Sequence, residues 1–292
     1  MVLAVVRSLR PRQWVKNLLV FAGVVFAQKL FTPAVWAALG AFVIFCGLSG
    51  AIYLLNDVAD REKDRRHPDK RHRPIASGAL PPRVAVAVAG VLIVLGLAAA
   101  YRLSPSFALA AAGYVALLTA YSAWLKHVVI VDVLVVAIGF VLRAAAGALV
   151  VEAQISGWLL ICTVLLALFL ALGKRRHEVL ALEAGGVTHR PILVEYSAPF
   201  LDQTIAVVTA STVTAYALYT MSPETVAKFH TALLPLTLPF VLYGVFRYLY
   251  LLYHRHLGGN PSELFLGDRA LLVNTLAWMA AVVLIIYGVG DG

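Results

Sequence analysis

The residues best suited to chemistry follow the second apolar stretch of the chain, where Asn56 and Asp57 lead into Asp60 and Asp64. If a helix continues through them, the three aspartates lie at positions i, i+3 and i+7 on one face. Carboxylates in one stripe repel each other unless a cation lies among them, and oxygen ligands suit Mg²⁺. The alternative is a solvated acidic helix end, but charge is costly directly after an apolar run. The spacing therefore predicts a site for Mg²⁺, or Mn²⁺ in its place, formed by Asn56, Asp57, Asp60 and Asp64.

A basic segment follows directly and contains Lys70, Arg71 and Arg73. One interpretation is that this positive charge does no more than orient the chain in a membrane, as basic residues beside apolar stretches do. Here, however, the segment adjoins the acidic stripe. Carboxylates for Mg²⁺ beside Arg and Lys for phosphate oxygens are the parts of a diphosphate site. We therefore predict that these three basic residues bind substrate phosphate.

The composition indicates that membrane-spanning helices position these motifs. Hydrophobic residues make up 61% of the 292 residues and charged residues only 13%, against about 25% charged in a soluble protein. We expect an all-α polytopic membrane protein with a single domain, 1–292, and about nine transmembrane helices. The apolar stretches long enough to cross a bilayer are approximately 14–31, 34–56, 82–102, 105–125, 130–151, 156–173, 200–221, 229–252 and 270–288.

Basic residues are distributed unequally between the two sides of this arrangement. Of the 24 Lys and Arg, 19 belong to the N-terminus and to the loops after the even-numbered spans, and three belong to the opposite side. The positive-inside rule then predicts a multi-pass protein of the cell membrane with a cytoplasmic N-terminus. Most acidic residues lie on the same side, which favours a cytoplasmic active site. The predicted cytoplasmic loops are about 57–81, 126–129, 174–199 and 253–269.

Two motifs together resemble the UbiA superfamily of intramembrane prenyltransferases. They are N-D-x-x-D-x-x-x-D at 56–64 and K-R-x-R-P-I-x-S-G at 70–78, and the opening residues 10–17 are also similar to that family. The resemblance implies a bundle with its active site at the cytoplasmic loops. The family's Y-x-x-x-K element is present in altered form at 121–126. We assign catalytic roles to Asp57, Asp60 and Lys126, and substrate binding to Lys16, Asn17 and Tyr121.

The chain departs from the prenyl-transferring members after the sixth span. Those members carry a second aspartate-rich motif there, whereas this chain has Gly-Lys-Arg-Arg-His-Glu at 173–178. The difference from those members implies that a phosphate-binding segment replaces one metal site. This feature resembles the branch of decaprenyl-phosphate phosphoribosyltransferases, which use 5-phosphoribosyl diphosphate (PRPP) as donor. We expect Lys174, Arg175, His177 and Glu178 to bind substrate.

The resemblance implies Mg-dependent transfer of 5-phosphoribosyl from PRPP to a polyprenyl (decaprenyl) phosphate, for cell-wall arabinan precursors. The expected partners are these two substrates and membrane lipids, without nucleic acid; the sequence leaves a homo-oligomer open. Arg143 lies inside the fifth span and should face the interior, paired either with substrate phosphate or with an acid such as Asp132. The alternatives are a prenyltransferase that alkylates an aromatic acceptor and a transporter. The missing second aspartate motif disfavours the first, and the scarcity of mid-span charges disfavours the second.

Overall fold

A computed structural model describes residues 1–66, 68, 70–185 and 191–288. All predicted site residues lie within these ranges. The described residues are helical and contain no strand. Contacts divide them into two compact units, the first containing residues 1–135 and 139–155, and the second containing 136–138, 156–185 and 191–288. The single domain 1–292 therefore stays a prediction, and each unit is described by itself.

The first unit contains seven α-helices, the last of which it holds for most of its length. The helices are α1 (Val2–Ser8), α2 (Phe21–Phe26), α3 (Ala34–Ala59), α4 (Arg61–Arg65), α5 (Pro82–Leu103), α6 (Pro105–Ala123) and α7 (Val131–Val150). Three short 3₁₀ helices accompany them, at Pro11–Val20, Lys70–His72 and Leu125–His127.

The second unit contains six α-helices. They are α8 (Gly157–Glu183), α9 (Ala198–Met221), α10 (Pro223–Phe229), α11 (Leu238–His254), α12 (Pro261–Gly267) and α13 (Arg269–Gly288). The 3₁₀ helices of this unit are Pro191–Glu195 and Leu234–Thr237.

Eight helical segments of the described chain are long and apolar enough to cross a membrane. The protein is therefore a multi-pass, all-α membrane protein, as the composition predicts. The segments are Ala34–Ala59, Pro82–Leu103, Pro105–Ala123, Val131–Val150, Gly157–Glu183, Ala198–Met221, Leu234–His254 and Arg269–Gly288.

The first predicted span, 14–31, takes a different form. It folds as the 3₁₀ helix Pro11–Val20 followed by the six-residue α2. At about 2.0 Å per residue for a 3₁₀ helix and about 1.5 Å for an α-helix, the two segments together reach about 29 Å. Asn17, which lies within this predicted span, is fully buried. Its polar side chain is turned toward partners inside the protein rather than toward lipid.

The helix that carries the acidic motif also differs from the prediction. We expected one helix to continue through Asp57, Asp60 and Asp64, but α3 ends at Ala59 and a separate helix begins at Arg61. Asp60 is the residue between them, with φ −92° and ψ 7°. The expectation of a continuous helix is therefore wrong. The break lies between Asp57 and Asp64, so the relative positions of their side chains depend on the backbone conformation at Asp60.

Two glycines allow α2 and α7 to touch backbone to backbone. A Cβ atom on Gly147 would lie 1.9 Å from the carbonyl oxygen of Val20, and one on Gly23 would lie 2.3 Å from the carbonyl carbon of Gly147. Both distances are far below van der Waals contact, and the opposing atoms are backbone atoms that cannot rotate away. This contact holds the start of the chain against α7.

We expect Gly147→Ala to destabilise the protein because α2 and α7 would have to separate. Overpacking of this kind lowers the free energy of unfolding by about 1–3 kcal/mol. Thermal unfolding of the purified protein in detergent measures the effect as a lower Tm. Gly113→Ala in α6 is the control, since a Cβ there meets nothing within 4 Å. An unchanged Tm for Gly147→Ala would show that this backbone contact is not needed.

Candidate active site

Asp57 is buried near the end of α3 and is held by two arginines. Its side chain is only 3% exposed. One carboxylate oxygen, Oδ1, accepts hydrogen bonds from Arg10 Nη2 at 2.5 Å and from Arg73 Nη1 at 3.0 Å. The Arg10 guanidinium also lies over the ring of Tyr53, 4.7 Å from its centroid. Two cations thus converge on one buried oxygen.

Arg73 joins this carboxylate to the one on α4. The same Nη1 atom donates to Asp64 Oδ2 at 2.7 Å, and the Asp64 side chain is 5% exposed. Asp57 and Asp64 therefore approach each other through a shared cation, despite the helix break between them. A second contact fixes this loop, because Arg65 Nε donates to the carbonyl oxygen of Ala76 at 3.0 Å.

Asp60 has a different partner. Lys126 Nζ lies 3.2 Å from its Oδ1 and 3.5 Å from its Oδ2. Lys126 belongs to the 3₁₀ helix after α6, and Tyr121 is half-buried near the end of α6. The structure thus brings together the acidic motif and the lysine of the altered Y-x-x-x-K element.

The remaining residues of the two motifs are more peripheral. Asn56 is half-buried one residue before Asp57. Lys70 and Arg71 lie on the short 3₁₀ helix at Lys70–His72. Arg71 is exposed, and its Nε lies 3.2 Å from His72 Nε2. Among the three basic residues predicted to bind phosphate, Arg73 contacts the predicted metal ligands Asp57 and Asp64.

The chemistry of the acidic residues fits Mg²⁺, although they do not form a finished coordination shell. Their donors are carboxylate and amide oxygens, which Mg²⁺ prefers. A cationic nitrogen of Arg73 lies between Asp57 and Asp64, where a metal ion would also be attracted. Within the described ranges, no group of three or more His, Cys, Asp or Glu side chains is arranged to hold a metal ion. The basic side chains around the carboxylates would have to move for all three aspartates to bind one ion.

Arg143 is 5% exposed in the interior of α7 and binds only neutral oxygens. Its Nε donates to Asn17 Oδ1 at 2.8 Å, its Nη1 to the carbonyl oxygen of Gly139 at 2.9 Å, and its Nη2 to the Tyr114 hydroxyl at 2.7 Å. The guanidinium also lies over the Tyr114 and Phe140 rings. The protein thus holds a buried positive charge with polar and aromatic groups rather than with an acid.

Asp132, the acid considered as an alternative partner of Arg143, is not among these three acceptors. Lys16 precedes Asn17 on the 3₁₀ helix and is half-buried. Asn17 is further fixed by its Nδ2 atom, which donates to Ser49 Oγ at 3.2 Å.

In the second unit, Glu178 organises the basic segment on α8. Arg175 donates to Glu178 Oε2 in a short contact, and Lys174 Nζ lies 3.8 Å from Oε1. The Arg175 side chain is 4% exposed, whereas that of Lys174 is 39% exposed. Lys174 is therefore the member of this segment best placed to meet a ligand, and Arg175 is largely committed to the protein.

His177 faces the loop that follows α11. A Cβ on Gly259 would lie 2.9 Å from His177 Nε2, so the glycine lets the loop pass directly over the imidazole. Both residues line a cavity of about 440 Å³ together with the polar side chains of Asn260, Glu263 and Asp268. Its carboxylates make this cavity unsuited to a bare phosphate and better suited to hydroxyl groups.

Several site contacts escaped the sequence-based assignment. Arg10 was noted only as part of the opening motif, and nothing in its position indicates a contact with Asp57, 47 residues away. Asp202 lies within a predicted span, and an acid at that depth is a signal of function or pairing. It pairs with Arg176 at 2.5 Å. Asp268 pairs with Arg247 at 2.7 Å, and this hydrogen bond holds the pKa of Asp268 below its usual value.

Eight apolar spans, with buried carboxylates and arginines beside the end of one of them, define an integral membrane protein of the UbiA type. The chain belongs to the UbiA prenyltransferase family, whose sequence profile matches residues 17–267. The fold agrees. A UbiA homologue from Archaeoglobus fulgidus bound to GPP and Mg²⁺ superimposes with a TM-score of 0.74 at 20% identity, covering 97% of this chain and 99% of the other.

The sequence is more similar to one group of enzymes. A decaprenyl-phosphate phosphoribosyltransferase from Mycobacterium tuberculosis is 35% identical over 289 residues, covering 97% of this chain and 94% of the relative. An enzyme of the same name from Corynebacterium glutamicum is 34% identical, covering 97% of this chain and 86% of the relative. The resemblance inferred from the motifs is thereby confirmed.

We expect Arg73→Gln to lower both stability and activity, because it leaves two buried carboxylates without their shared cation. Breaking a buried ion pair by removing one partner costs about 3–5 kcal/mol, and the 29% exposure of Arg73 places the effect at the lower end. Thermal unfolding measures the change. The matched control is Arg71→Gln, two residues away on the same loop and exposed to solvent. Equal Tm values for the two variants would contradict this role of Arg73.

Proposed function

We propose that the protein transfers the 5-phosphoribosyl group of PRPP to a polyprenyl phosphate. The main support is the segment Lys174–Glu178, which is predominantly basic where prenyl-transferring relatives are expected to carry a second set of metal-binding acids. The near-full-length similarity to enzymes named decaprenyl-phosphate phosphoribosyltransferase supports the same assignment. We propose further that the acidic motif faces the cytoplasm, since PRPP is water-soluble and highly charged.

The donor's pyrophosphate would bind at the acidic motif. Asn56, Asp57, Asp60 and Asp64 supply the oxygen ligands for Mg²⁺, which when bound neutralises charge on the departing pyrophosphate. Arg73 and Lys126, which contact these aspartates, would donate to phosphate oxygens. The basic residues thus have two roles, holding the carboxylates in place and compensating phosphate charge.

The reaction itself requires little acid–base chemistry from the protein. An oxygen of the acceptor phosphate forms a bond to the anomeric carbon of the ribose as the bond from that carbon to the pyrophosphate oxygen breaks. The attacking phosphate is already an anion, so no strong general base is needed. In-line attack on an α-linked donor gives a β-linked product. The protein's contribution is to position the two anions and to offset their repulsion.

The positions of Arg143 and Lys16 support the proposal that an anionic ligand binds in the first unit. A buried cation that lacks a carboxylate partner is costly unless an anion approaches it. Asn17 and Tyr114 hold the Arg143 side chain in one orientation through neutral hydrogen bonds. We therefore place substrate phosphate, rather than an acid of the protein, as the counter-charge of these two residues.

Transfer of label from radioactive PRPP into the lipid phase, with decaprenyl phosphate and Mg²⁺ present, tests the proposed reaction. We expect Asp60→Asn to reduce the rate by roughly 100-fold, the scale of losing one electrostatic contact in the transition state. Excess EDTA should abolish transfer. Glu62→Gln is the control, because Glu62 belongs to the same motif but is 67% exposed. Full activity of Asp60→Asn, or prenylation of an aromatic acid instead of ribosyl transfer, would contradict the proposal.

The role of the second basic segment is tested with Lys174. We expect Lys174→Gln to raise the KM for a phosphorylated substrate, by roughly tenfold for the loss of one charged hydrogen bond. Lys174 is preferable to Arg175 because removing the buried Arg175 also disturbs packing. Leu166→Ala on the same helix is the control, since Leu166 is exposed on the apolar part of α8. A KM unchanged for both PRPP and decaprenyl phosphate would exclude Lys174 from substrate binding.

A further inference from the structure

A groove of about 510 Å³ lies between two membrane-spanning helices of the second unit. On α9 it is lined by Ile205, Thr209 and Val213, which are spaced four residues apart and share one face. On α11 it is lined by Leu242, Phe246 and Tyr253, among others. Because the lining residues follow one stripe on each helix, the groove is elongated along the helices.

The dimensions of this groove suit a single hydrocarbon chain. Its lining spans 205–214 on α9 and 242–253 on α11. At about 1.5 Å per residue, these stretches are about 14 and 17 Å long. The lining is largely apolar, and Phe246 within it is 59% exposed. A highly charged ligand would fit this largely apolar surface poorly.

One end of the groove is polar, because Tyr253, which lines it, contacts an ion pair of Asp202 and Arg176. Tyr253, near the end of α11, donates its hydroxyl to Asp202 Oδ1 at 2.9 Å, near the start of α9. Arg176 Nε donates to the same oxygen at 2.5 Å, and its guanidinium lies 4.1 Å from the centroid of the Tyr253 ring.

Arg176 keeps an unused hydrogen-bond donor at this end. Its Nη1 atom is buried and has no hydrogen-bond partner in the described chain. A buried donor without a partner is rare in proteins and costly, because it has lost its water and gained nothing in return. An anionic group at the end of the groove would satisfy it.

We propose that this groove binds the isoprenoid chain of the lipid acceptor, with the phosphate of the lipid directed toward Arg176. This inference rests on the proposed function, because that function supplies a lipid with one anionic end and a long apolar chain. The groove is apolar along its length and polar at one end, which matches the apolar chain and the anionic end of such a lipid. Arg176 also belongs, in sequence, to the basic segment Lys174–Glu178 of α8.

Photo-crosslinking tests the location directly. The protein in phosphatidylcholine nanodiscs is irradiated with decaprenyl phosphate that carries a diazirine in its chain, and the modified peptides are identified by mass spectrometry. We expect adducts on 198–221 and 238–254 that excess unlabelled decaprenyl phosphate removes and an equal amount of phosphatidic acid does not. Adducts elsewhere, equal competition by phosphatidic acid, or cross-links between two copies of the chain in place of lipid adducts would overturn the proposal.

A pair of substitutions on α9 adds a functional readout. Ala210→Trp fills the groove, whereas Val207→Trp places the same side chain on an exposed position that does not line it. We expect Ala210→Trp to reduce cross-linking and to raise the KM for decaprenyl phosphate by about tenfold or more, with the KM for PRPP unchanged. Val207→Trp should match the wild type. Tm values for both variants report whether they fold.

The two proposals fail in different ways. If lipid adducts form in the groove but no ribosyl group is transferred, the lipid site stands and the proposed reaction is wrong. If the wild type transfers ribosyl but Ala210→Trp changes neither cross-linking nor the KM for the lipid, the groove is not the acceptor site. Should Ala210→Trp fail to fold, the adducts on the wild-type protein decide the location of the chain.

Discussion

The geometry of the acidic motif depends on one guanidinium nitrogen. Arg73 Nη1 lies between the buried carboxylates of Asp57 and Asp64 and links the end of α3 to the short helix α4 across the turn at Asp60. Two buried negative charges would repel each other strongly in a medium of low dielectric constant. Their proximity is stable only with a cation between them. The loop after α4 therefore brings Arg73 back to the motif and completes it.

Two further charged groups of the first unit, Asp60 and Arg143, are also stabilised by their neighbours, each in a different way. Asp60 is half-exposed and is paired with Lys126, so its negative charge is stabilised both by solvent and by the lysine. Arg143 is buried and is held by an amide, a carbonyl, a hydroxyl and aromatic rings, none of which carries a formal charge. In the acidic motif the carboxylates are paired with basic residues, whereas the buried Arg143 is held by neutral groups. This imbalance is what a site for a polyanionic substrate requires.

Much of this arrangement could be predicted from the sequence, because the signals are local or statistical. The apolar stretches indicated the spans, and the spacing of Asn56, Asp57, Asp60 and Asp64 identified the motif. Pairings across long distances could not be predicted, since nothing near Arg10 in the sequence indicates Asp57. The end of α3 at Ala59 was also hidden, because 57–64 contains no proline or glycine to mark it. The form of the first predicted span, 14–31, was also hidden, because hydropathy does not distinguish a segment buried in the protein from one that faces lipid.

The 3₁₀ form of Pro11–Val20 has a consequence for the register of the chain. With three residues per turn, side chains three apart are eclipsed and form a straight line along the helix, unlike the oblique stripes of an α-helix. Asn17 and Val20 occupy one such line and are both fully buried. The same line along the helix therefore contains Asn17, whose amide orients Arg143, and Val20, whose backbone contacts Gly147. Insertion or deletion of one residue ahead of Asn17 would rotate this line by about 120°, so the polar and the packing contact would be lost together.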